Sequence, residues 1–219
     1  MYEQMIAYVK EMLQQYEESD STKKLAVRYD RFEHTMRVCR WMQILYEAYP
    51  DKEEIDAEAL AIACIFHDIG YCEVENIRRH AEIGAEYCRK YLTQIGFDAK
   101  KTDFICDLIA RHSDKKNMVG IPMELVLLRE ADLLDDTGVQ GLVLDIWMKA
   151  ACQDEVSFES ILQHMERYTL RLMQENPMRT DKAREIWEEK RKLTEVFVGE
   201  YRRDLEGPNG WGEKDECGI

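Results

Sequence analysis

The sequence of 219 residues predicts an all-α protein, a single-domain helical bundle. Apolar residues recur at three- and four-residue spacing through most of the chain, which is the spacing of one helix face. Only four prolines and eleven glycines are present, so turns should be few and helices long. The sequence lacks the alternation of apolar and polar residues that is typical of half-buried strands.

Most of the predicted helices have capping or helix-breaking residues at their ends. In order, they span about residues 2–17, 32–48, 52 or 57 to 68, 78–95, 99–112, 122–134, 139–151, 158–173 and 180–205. Asp51 and Asp56 are alternative N-caps of the third helix, Asp98 caps the fifth and Ser157 the eighth. Gly70 is expected to end the third helix.

The third helix, with the sequence AEALAIACIF, is apolar nearly all round. A helix of that kind is expected at the buried centre of a bundle. A chain of this length can bury one full hydrophobic core, so residues 1–205 are predicted to form one domain. The glycine-rich residues 206–219 are expected to be a flexible tail.

The net charge of −14 disfavours a nucleic-acid polymer as the main partner. A small anionic substrate stays possible, because bound divalent cations would invert the local field. The longest apolar run, Ala59 to Phe66, is far shorter than the roughly 20 residues that span a bilayer. The first residues do not have the pattern of a signal peptide. We therefore expect a cytoplasmic protein without a membrane partner.

The seven cysteines are an odd number and include no CxxC pair. Four of them, Cys39, Cys64, Cys88 and Cys106, lie within apolar helical patterns. Buried free thiols in a reducing compartment are the simplest interpretation. Metal-thiolate or redox roles are the alternative.

His67 and Asp68 follow the most apolar helix, where burying an imidazole and an ionised carboxylate is costly unless a partner compensates them. A metal ion would supply that partner. The alternative is that backbone groups or an arginine satisfy Asp68. Three further histidines, His34, His80 and His112, also lie on or at the end of predicted helices, whereas His164 has the charged context of a surface residue.

Asp132 is the second unusual carboxylate, because it lies within the apolar helical segment VLLREADLLDD. Periodicity leaves open whether it faces inward. Asp135 and Asp136 follow at the end of the same predicted helix. Acidic residues there oppose the helix dipole, so a compensating partner is expected.

Three local contexts, RFEHTMRV, AIACIFHDIG and EADLLDDTG, together resemble the HD-domain superfamily of metal-dependent phosphohydrolases. The resemblance covers about residues 28–145, and the helices of about 157–205 would extend that domain. It implies that His34, His67, Asp68 and Asp132 bind a metal ion inside a helical bundle.

Two more segments extend this resemblance. IRRHAEIGAEYC resembles a family segment that is prominent in the HD-GYP branch, and IARHSDKK resembles the next family histidine, at a helix end. This resemblance implies that His80 and His112 hold a second metal, with Asp68 bridging the two ions. In a mononuclear site, these two histidines would instead contact substrate or donate protons. The GYP tripeptide is lacking, so turnover of cyclic dinucleotides is not supported.

The resemblance implies hydrolysis of a small phosphorylated substrate, with nucleotides as one candidate class, by water activated on one or two ions of Mn, Fe, Co, Ni, Mg or Zn. Asp68 would orient the nucleophile, and Glu73 is a candidate general acid. Arg37, Arg111 and Lys115 are candidate phosphate-binding residues. Arg37 could instead form a structural ion pair, and Lys115 could be a solvated surface charge.

Two other functions are compatible with the same ligand types. Some members of the superfamily use two irons for oxidative cleavage, and others keep the site as a non-catalytic ligand sensor. The identity of the bound metal would discriminate hydrolase from oxygenase, and the complete ligand set disfavours the sensor. The sequence leaves the substrate, the metal and the oligomeric state open, with a homodimer as one arrangement.

Overall fold

The computed structural model describes residues 1–19, 31–73, 79–114, 120–152 and 156–207. This part of the chain is all-α, as the sequence predicts, and contains no strand. The helices are α1 Tyr2–Ser19, α2 Arg31–Ala48, α3 Ala57–Phe66, α4 His80–Gln94, α5 Ala99–Arg111, α6 Met123–Asp135, α7 Val139–Cys152, α8 Phe158–His164, α9 Leu170–Glu175 and α10 Asp181–Glu206.

The chain divides into two compact units. The first comprises Met1–Asp135 and Met178–Ala183, and the second comprises Asp136–Pro177 and the chain from Arg184 onward. One domain reaching residue 205 therefore stays a prediction. The flexible tail expected at 206–219 lies, beyond Gly207, outside the described residues.

Helix α3 is the centre of the first unit. Seven of its ten residues are buried, and it packs against α1, α2, α4, α5 and α6. An apolar sequence on all faces is what such a position requires, because little of the helix beyond its first turn is left to solvent. His67 and Asp68 follow this helix directly, so they lie deep in the unit.

Local capping chemistry fixes several helix ends. Asp56 is the N-cap of α3, and its Oδ1 accepts a hydrogen bond from the Ala59 amide at 2.9 Å. Asp51 instead precedes a short 3₁₀ segment and makes no side-chain cap. Asp98 caps α5, and Ser157 forms a capping box at the start of α8.

Gly70 does not end α3, contrary to the expectation from the sequence. The helix ends at Phe66, and Gly70 lies inside a 3₁₀ segment, Ile69–Glu73. A Cβ atom on Gly70 would lie 1.9 Å from the main-chain oxygen of His80 and 2.6 Å from the nitrogen of Gly84. Glycine is required here because the 3₁₀ segment packs backbone to backbone against the start of α4.

The second unit has its own small apolar core, formed by Leu142, Ile161, Met165 and Val198. The helix predicted to run without interruption to residue 173 contains a π-helical turn, Met165–Thr169, between α8 and α9. Across the described ranges, no helix combines the length and the apolar character needed to cross a lipid bilayer.

Candidate metal centre

The six side chains predicted as metal ligands lie in or next to five consecutive helices. They are His34 in α2, His67 and Asp68 directly after α3, His80 at the start of α4, His112 directly after α5, and Asp132 near the end of α6. Five of the six residues are buried, and the His80 side chain is 12% exposed. Periodicity had left the orientation of Asp132 open, and the structure turns it inward.

The carboxylate of Asp68 lies at the centre of this group, and each of its oxygens faces a different pair of histidines. Oδ2 lies 3.5 Å from His34 Nε2 and 3.7 Å from His67 Nε2. Oδ1 lies 3.6 Å from His80 Nε2 and 3.5 Å from His112 Nε2. Asp68 is therefore shared between two clusters of donor atoms.

The spacing within each cluster fits a metal ion. The Nε2 atoms of His34 and His67 are 3.4 Å apart, and those of His80 and His112 are 3.2 Å apart. Asp132 Oδ1 lies 3.3 Å from His34 Nε2 and adds a fourth donor to the first cluster. Ligand atoms about 2.1 Å from a tetrahedral ion lie about 3.4 Å from one another. The donors are thus already at the separations that a bound ion would require.

Two main-chain carbonyls orient two of the imidazoles. His67 Nδ1 lies 2.8 Å from the oxygen of Cys64, and His112 Nδ1 lies 2.7 Å from the oxygen of Ile109. A carbonyl only accepts hydrogen bonds, so each Nδ1 carries the proton. The lone pair is then on Nε2, the atom that faces Asp68, and this is the tautomer that binds a metal.

His34 is oriented by a carboxylate instead. Its Nδ1 lies 2.8 Å from Asp135 Oδ2, and Arg37 binds the same carboxylate in a bidentate manner through Nε at 2.8 Å and Nη2 at 3.0 Å. Arg37 and His34 together are the compensating partner that an aspartate at the end of α6 requires. Arg37 therefore makes the structural ion pair that was the alternative to phosphate binding.

Burial and neighbouring charges shift the pKa values of several side chains in this group. Burial lowers the pKa of His67 to about 4, which keeps its imidazole neutral and able to bind a metal. Burial raises the pKa of Asp68, but His67 and Arg31 outweigh it and hold this pKa well below its ordinary value. Burial lowers the pKa of His34, yet its hydrogen bonds to Asp132 and Asp135 raise it to about 10. The carboxylates of Asp68, Asp132 and Asp135 are all buried and all lie within 3.5 Å of a ring nitrogen of His34.

Comparison with known proteins agrees with this geometry, because residues 31–137 match the family described as the HD domain. The chain carries an HD domain. All six candidate ligands lie inside the matched range. None of the curated proteins matches the sequence significantly.

Solved structures share the fold of this HD-domain chain. Bacillus subtilis YpgQ in complex with ADP aligns with a TM-score of 0.67 at 20% identity, over 96% of each chain. An HD-superfamily hydrolase from Bacillus thuringiensis aligns with a TM-score of 0.66 at 19% identity, over 94% of this chain and 96% of that one. A predicted HD-superfamily hydrolase from an uncultured Thermotogales bacterium aligns with a TM-score of 0.58 at 20% identity, over 93% and 92%. The fold is thus that of HD-superfamily hydrolases.

Three other predicted site residues of the HD domain have contacts elsewhere or are not described. Glu73 is exposed and accepts a hydrogen bond from the Tyr87 hydroxyl at 2.8 Å. Arg111 forms an exposed ion pair with Asp107, one turn earlier in α5, at 2.7 Å. Lys115 lies outside the described residues. Their roles in catalysis and substrate binding stay predictions.

Sequence reasoning missed one residue of the centre, Arg31. Its Nη1 donates a hydrogen bond to Asp68 Oδ2 at 3.0 Å, and its guanidinium lies 3.9 Å from the ring centre of Tyr71. Arg31 precedes His34 by three residues, so both lie on one face of α2. That spacing was the signal available in the sequence.

The described cysteines, Cys39, Cys64, Cys72, Cys88 and Cys106, are free thiols. Burial raises the pKa of the Cys39 thiol to about 12 and holds that of Cys64 well above its ordinary value. Protonated thiols are weak nucleophiles and poor metal ligands. Cys39 and Cys64 are therefore packing residues of the HD domain.

Proposed function

We propose that this protein is a metal-dependent phosphohydrolase that cleaves a phosphate ester or anhydride of a small molecule. The observation that carries the proposal is the position of Asp68, whose two oxygens each face a pair of histidine Nε2 atoms at 3.5–3.7 Å. A carboxylate in this position is suited to bridging two divalent ions. Two bridged ions are a recurrent arrangement in phosphatases and nucleases.

Each residue of the cluster has a definable part in that chemistry. His34, His67 and Asp132 would hold one ion, and His80 and His112 the other, with Asp68 shared between them. The ions, when bound, would activate a water molecule and offset the charge on the phosphoryl oxygens. Asp68 would also orient the attacking water. Glu73, which follows in the next 3₁₀ segment, is the candidate proton donor to the leaving group.

Nucleotides are the substrate class to test first. One structural relative, YpgQ, was solved in complex with ADP, and the centre of this chain is built from the same fold. The net charge of −14 supports a small substrate rather than a polynucleotide, because a long polyanion would be repelled over its whole length.

The test is metal analysis followed by a phosphate-release screen. The purified protein is stripped with a chelator and reloaded separately with Mn, Co, Ni, Mg, Zn or Fe as the divalent ion. Bound metal per chain is measured, and phosphate or pyrophosphate release is measured from nucleoside mono-, di- and triphosphates and from sugar phosphates. We expect up to two ions per chain and release with at least one metal.

Matched variants make the test specific. Asp68→Asn should lose metal and activity, whereas Asp103→Asn, at an exposed aspartate that pairs with Arg89, should keep both. His67→Ala should behave like Asp68→Asn, and His164→Ala like the wild type. Full metal content and activity in Asp68→Asn would refute the proposal. Oxygen consumption by the iron form, without phosphate release under any condition, would favour an oxygenase instead.

A further inference from the structure

The guanidinium of Arg31 lies between the buried carboxylate of Asp68 and solvent. Its Nη1 is 3.0 Å from Asp68 Oδ2, yet its side chain is 29% exposed while that of Asp68 is only 4% exposed. Arg31 is therefore positioned where a solute approaching the metal centre would meet it.

Stacking fixes the orientation of this guanidinium. It lies 3.9 Å from the ring centre of Tyr71, and the Tyr71 ring is stacked on the His80 imidazole at 4.5 Å and 18°. One column thus joins an arginine of α2, a ring of the 3₁₀ segment and a candidate ligand of α4. A guanidinium held against an aromatic ring in this way loses less conformational freedom when it binds an oxyanion.

The main chain at Arg31 is also fixed, although Arg31 is the first residue of α2. Its carbonyl oxygen accepts a hydrogen bond from the Thr35 hydroxyl at 2.8 Å, and Thr35 is buried. The base and the tip of the side chain are thus both held. A pre-oriented planar fork of N–H donors matches the geometry of phosphate oxygens.

The positive charge of Arg31 opposes the negative net charge of the protein. The chain has a net charge of −14, so its general field repels an anionic substrate. Two of the three cations first expected to bind phosphate, Arg37 and Arg111, pair with Asp135 and Asp107. A fixed cation in contact with Asp68 would offset that repulsion beside the candidate metal ligands.

We propose that Arg31 binds the terminal phosphoryl group of the substrate and that Tyr71 holds its guanidinium in position. This inference rests on the proposed function and deepens it, since it assigns the phosphoryl group a protein contact beside the metals. A terminal phosphoryl group, with two charges, should gain more from this contact than a singly charged diester. Arg31 would thus favour monoesters and terminal anhydrides over diesters.

The test compares Arg31→Gln, Arg31→Lys and Tyr71→Leu with the wild type. Arg89→Gln, which removes an exposed arginine that pairs with Asp103, is the matched control. For each metal-loaded protein, KM and kcat are measured on a monoester, and the Kd for inorganic phosphate and for Mn²⁺ is measured by calorimetry. Thermal unfolding verifies that each variant is folded.

We expect Arg31→Gln to raise KM and the phosphate Kd by roughly 10- to 100-fold, the range for a lost hydrogen bond to a charged group. Its kcat should change much less, and its Mn²⁺ affinity should not fall, since no metal ligand is removed. Arg31→Lys should recover part of the phosphate affinity, because it keeps the charge but loses the planar fork. Tyr71→Leu should show a smaller loss, and Arg89→Gln none.

Two results would overturn the inference. One is an unchanged KM and phosphate Kd in Arg31→Gln. The other is a loss of Mn²⁺ affinity in that variant without any loss of phosphate binding, which would make Arg31 a counter-ion of Asp68 alone. If the wild type hydrolyses no phosphate compound but its phosphate Kd still depends on Arg31, the proposed function fails and the binding role stands.

Discussion

The two pairs of histidines around Asp68 differ in how firmly the protein holds them. The pair His34 and His67 has a further carboxylate, Asp132, and each imidazole is fixed by a short hydrogen bond at Nδ1. The pair His80 and His112 faces Asp68 Oδ1 at 3.6 and 3.5 Å, and His112 has a hydrogen bond at Nδ1 and a donor atom of Asp132 within 4.8 Å. Two clusters that share one bridging carboxylate should therefore bind metal with unequal affinity.

The exposure of the histidine side chains also predicts unequal metal affinities of the two clusters. The His80 side chain is 12% exposed and is braced by the Tyr71 ring, whereas those of His34 and His67 are at most 1% exposed. A cation in the first cluster would be surrounded by less water. We infer that the first cluster holds the tighter ion and that the second exchanges more easily.

The largest expected effect comes from removing one pair at a time. His34→Ala with His67→Ala should weaken the tighter ion by well over 100-fold, because even outer partners of metal ligands are worth about 10- to 100-fold. His80→Ala with His112→Ala should leave one tightly bound ion per chain. Metal content after dialysis against a weak chelator measures both. Equal metal loss from the two double variants would contradict the asymmetry.

Gly70→Ala should disturb the second pair through the backbone. Its Cβ would lie 1.9 Å from the oxygen of His80, so the start of α4 must move. We expect a loss of about 2 to 3 kcal/mol in the free energy of unfolding, at the upper end for overpacking, together with weaker binding of the second ion only. Denaturant titration and metal content test the two parts.

Gly199→Ala is the matched control for that variant, because nothing lies within 4 Å of a Cβ atom at Gly199. In the helix α10, alanine should stabilise by about 0.5 to 1 kcal/mol. An equal change in the free energy of unfolding in the two variants would show that the close approach of Gly70 to His80 does not affect stability.

Asp135→Asn should weaken the first ion selectively. The amide keeps the shape of the carboxylate but loses its charge, so His34 loses the partner that fixes its orientation and raises its basicity. We expect the affinity for the tighter ion to fall by about 10- to 100-fold, with the second ion unchanged. Calorimetric metal titration measures both, and Asp103→Asn is the control. A loss of affinity confined to the second ion would contradict the assignment of Asp135 to the first cluster.

Sequence reasoning was most successful where the interactions are local. The caps at Asp56, Asp98 and Ser157 each involve a residue three positions away, and the sequence predicts them because a cap and its helix are neighbours in the chain. The buried position of α3 also follows from its own composition. These features set the fold class and place His67 and Asp68 in the interior.

The contacts that orient the candidate ligands could not be predicted in the same way. Arg37 and Asp135 are 98 residues apart in sequence, and Arg31 and Asp68 are 37 apart. A charged residue on a helix face does not reveal which distant helix will be opposite. Gly70 was likewise taken for a helix end, because glycine marks both chain reversals and close backbone contacts.

The smallest expected effect comes from removing the N-cap of α3. It tests whether the stability of this helix influences the two metal affinities. Asp56 caps the end of α3 that is opposite His67, and it also binds Lys101 at 2.8 Å. Asp56→Ala should lower the free energy of unfolding by about 1 kcal/mol, the usual worth of an N-cap, and leave both metal affinities unchanged. A change in either affinity would mean that the centre depends on the whole helix and not on its local contacts.

The same variant has a predictable dependence on pH. Burial raises the pKa of Asp56, but hydrogen bonds from Lys101 and from the Ala59 amide outweigh it and lower this pKa below its ordinary 3.8. A lowered carboxyl pKa gives stability that is present above the ordinary value and lost as the pH falls through the folded one. The difference between wild type and Asp56→Ala should therefore be full at pH 7 and smaller at pH 3. Urea titrations at the two pH values measure it, and a difference that grows at pH 3 would show that the charge of Asp56 does not stabilise α3.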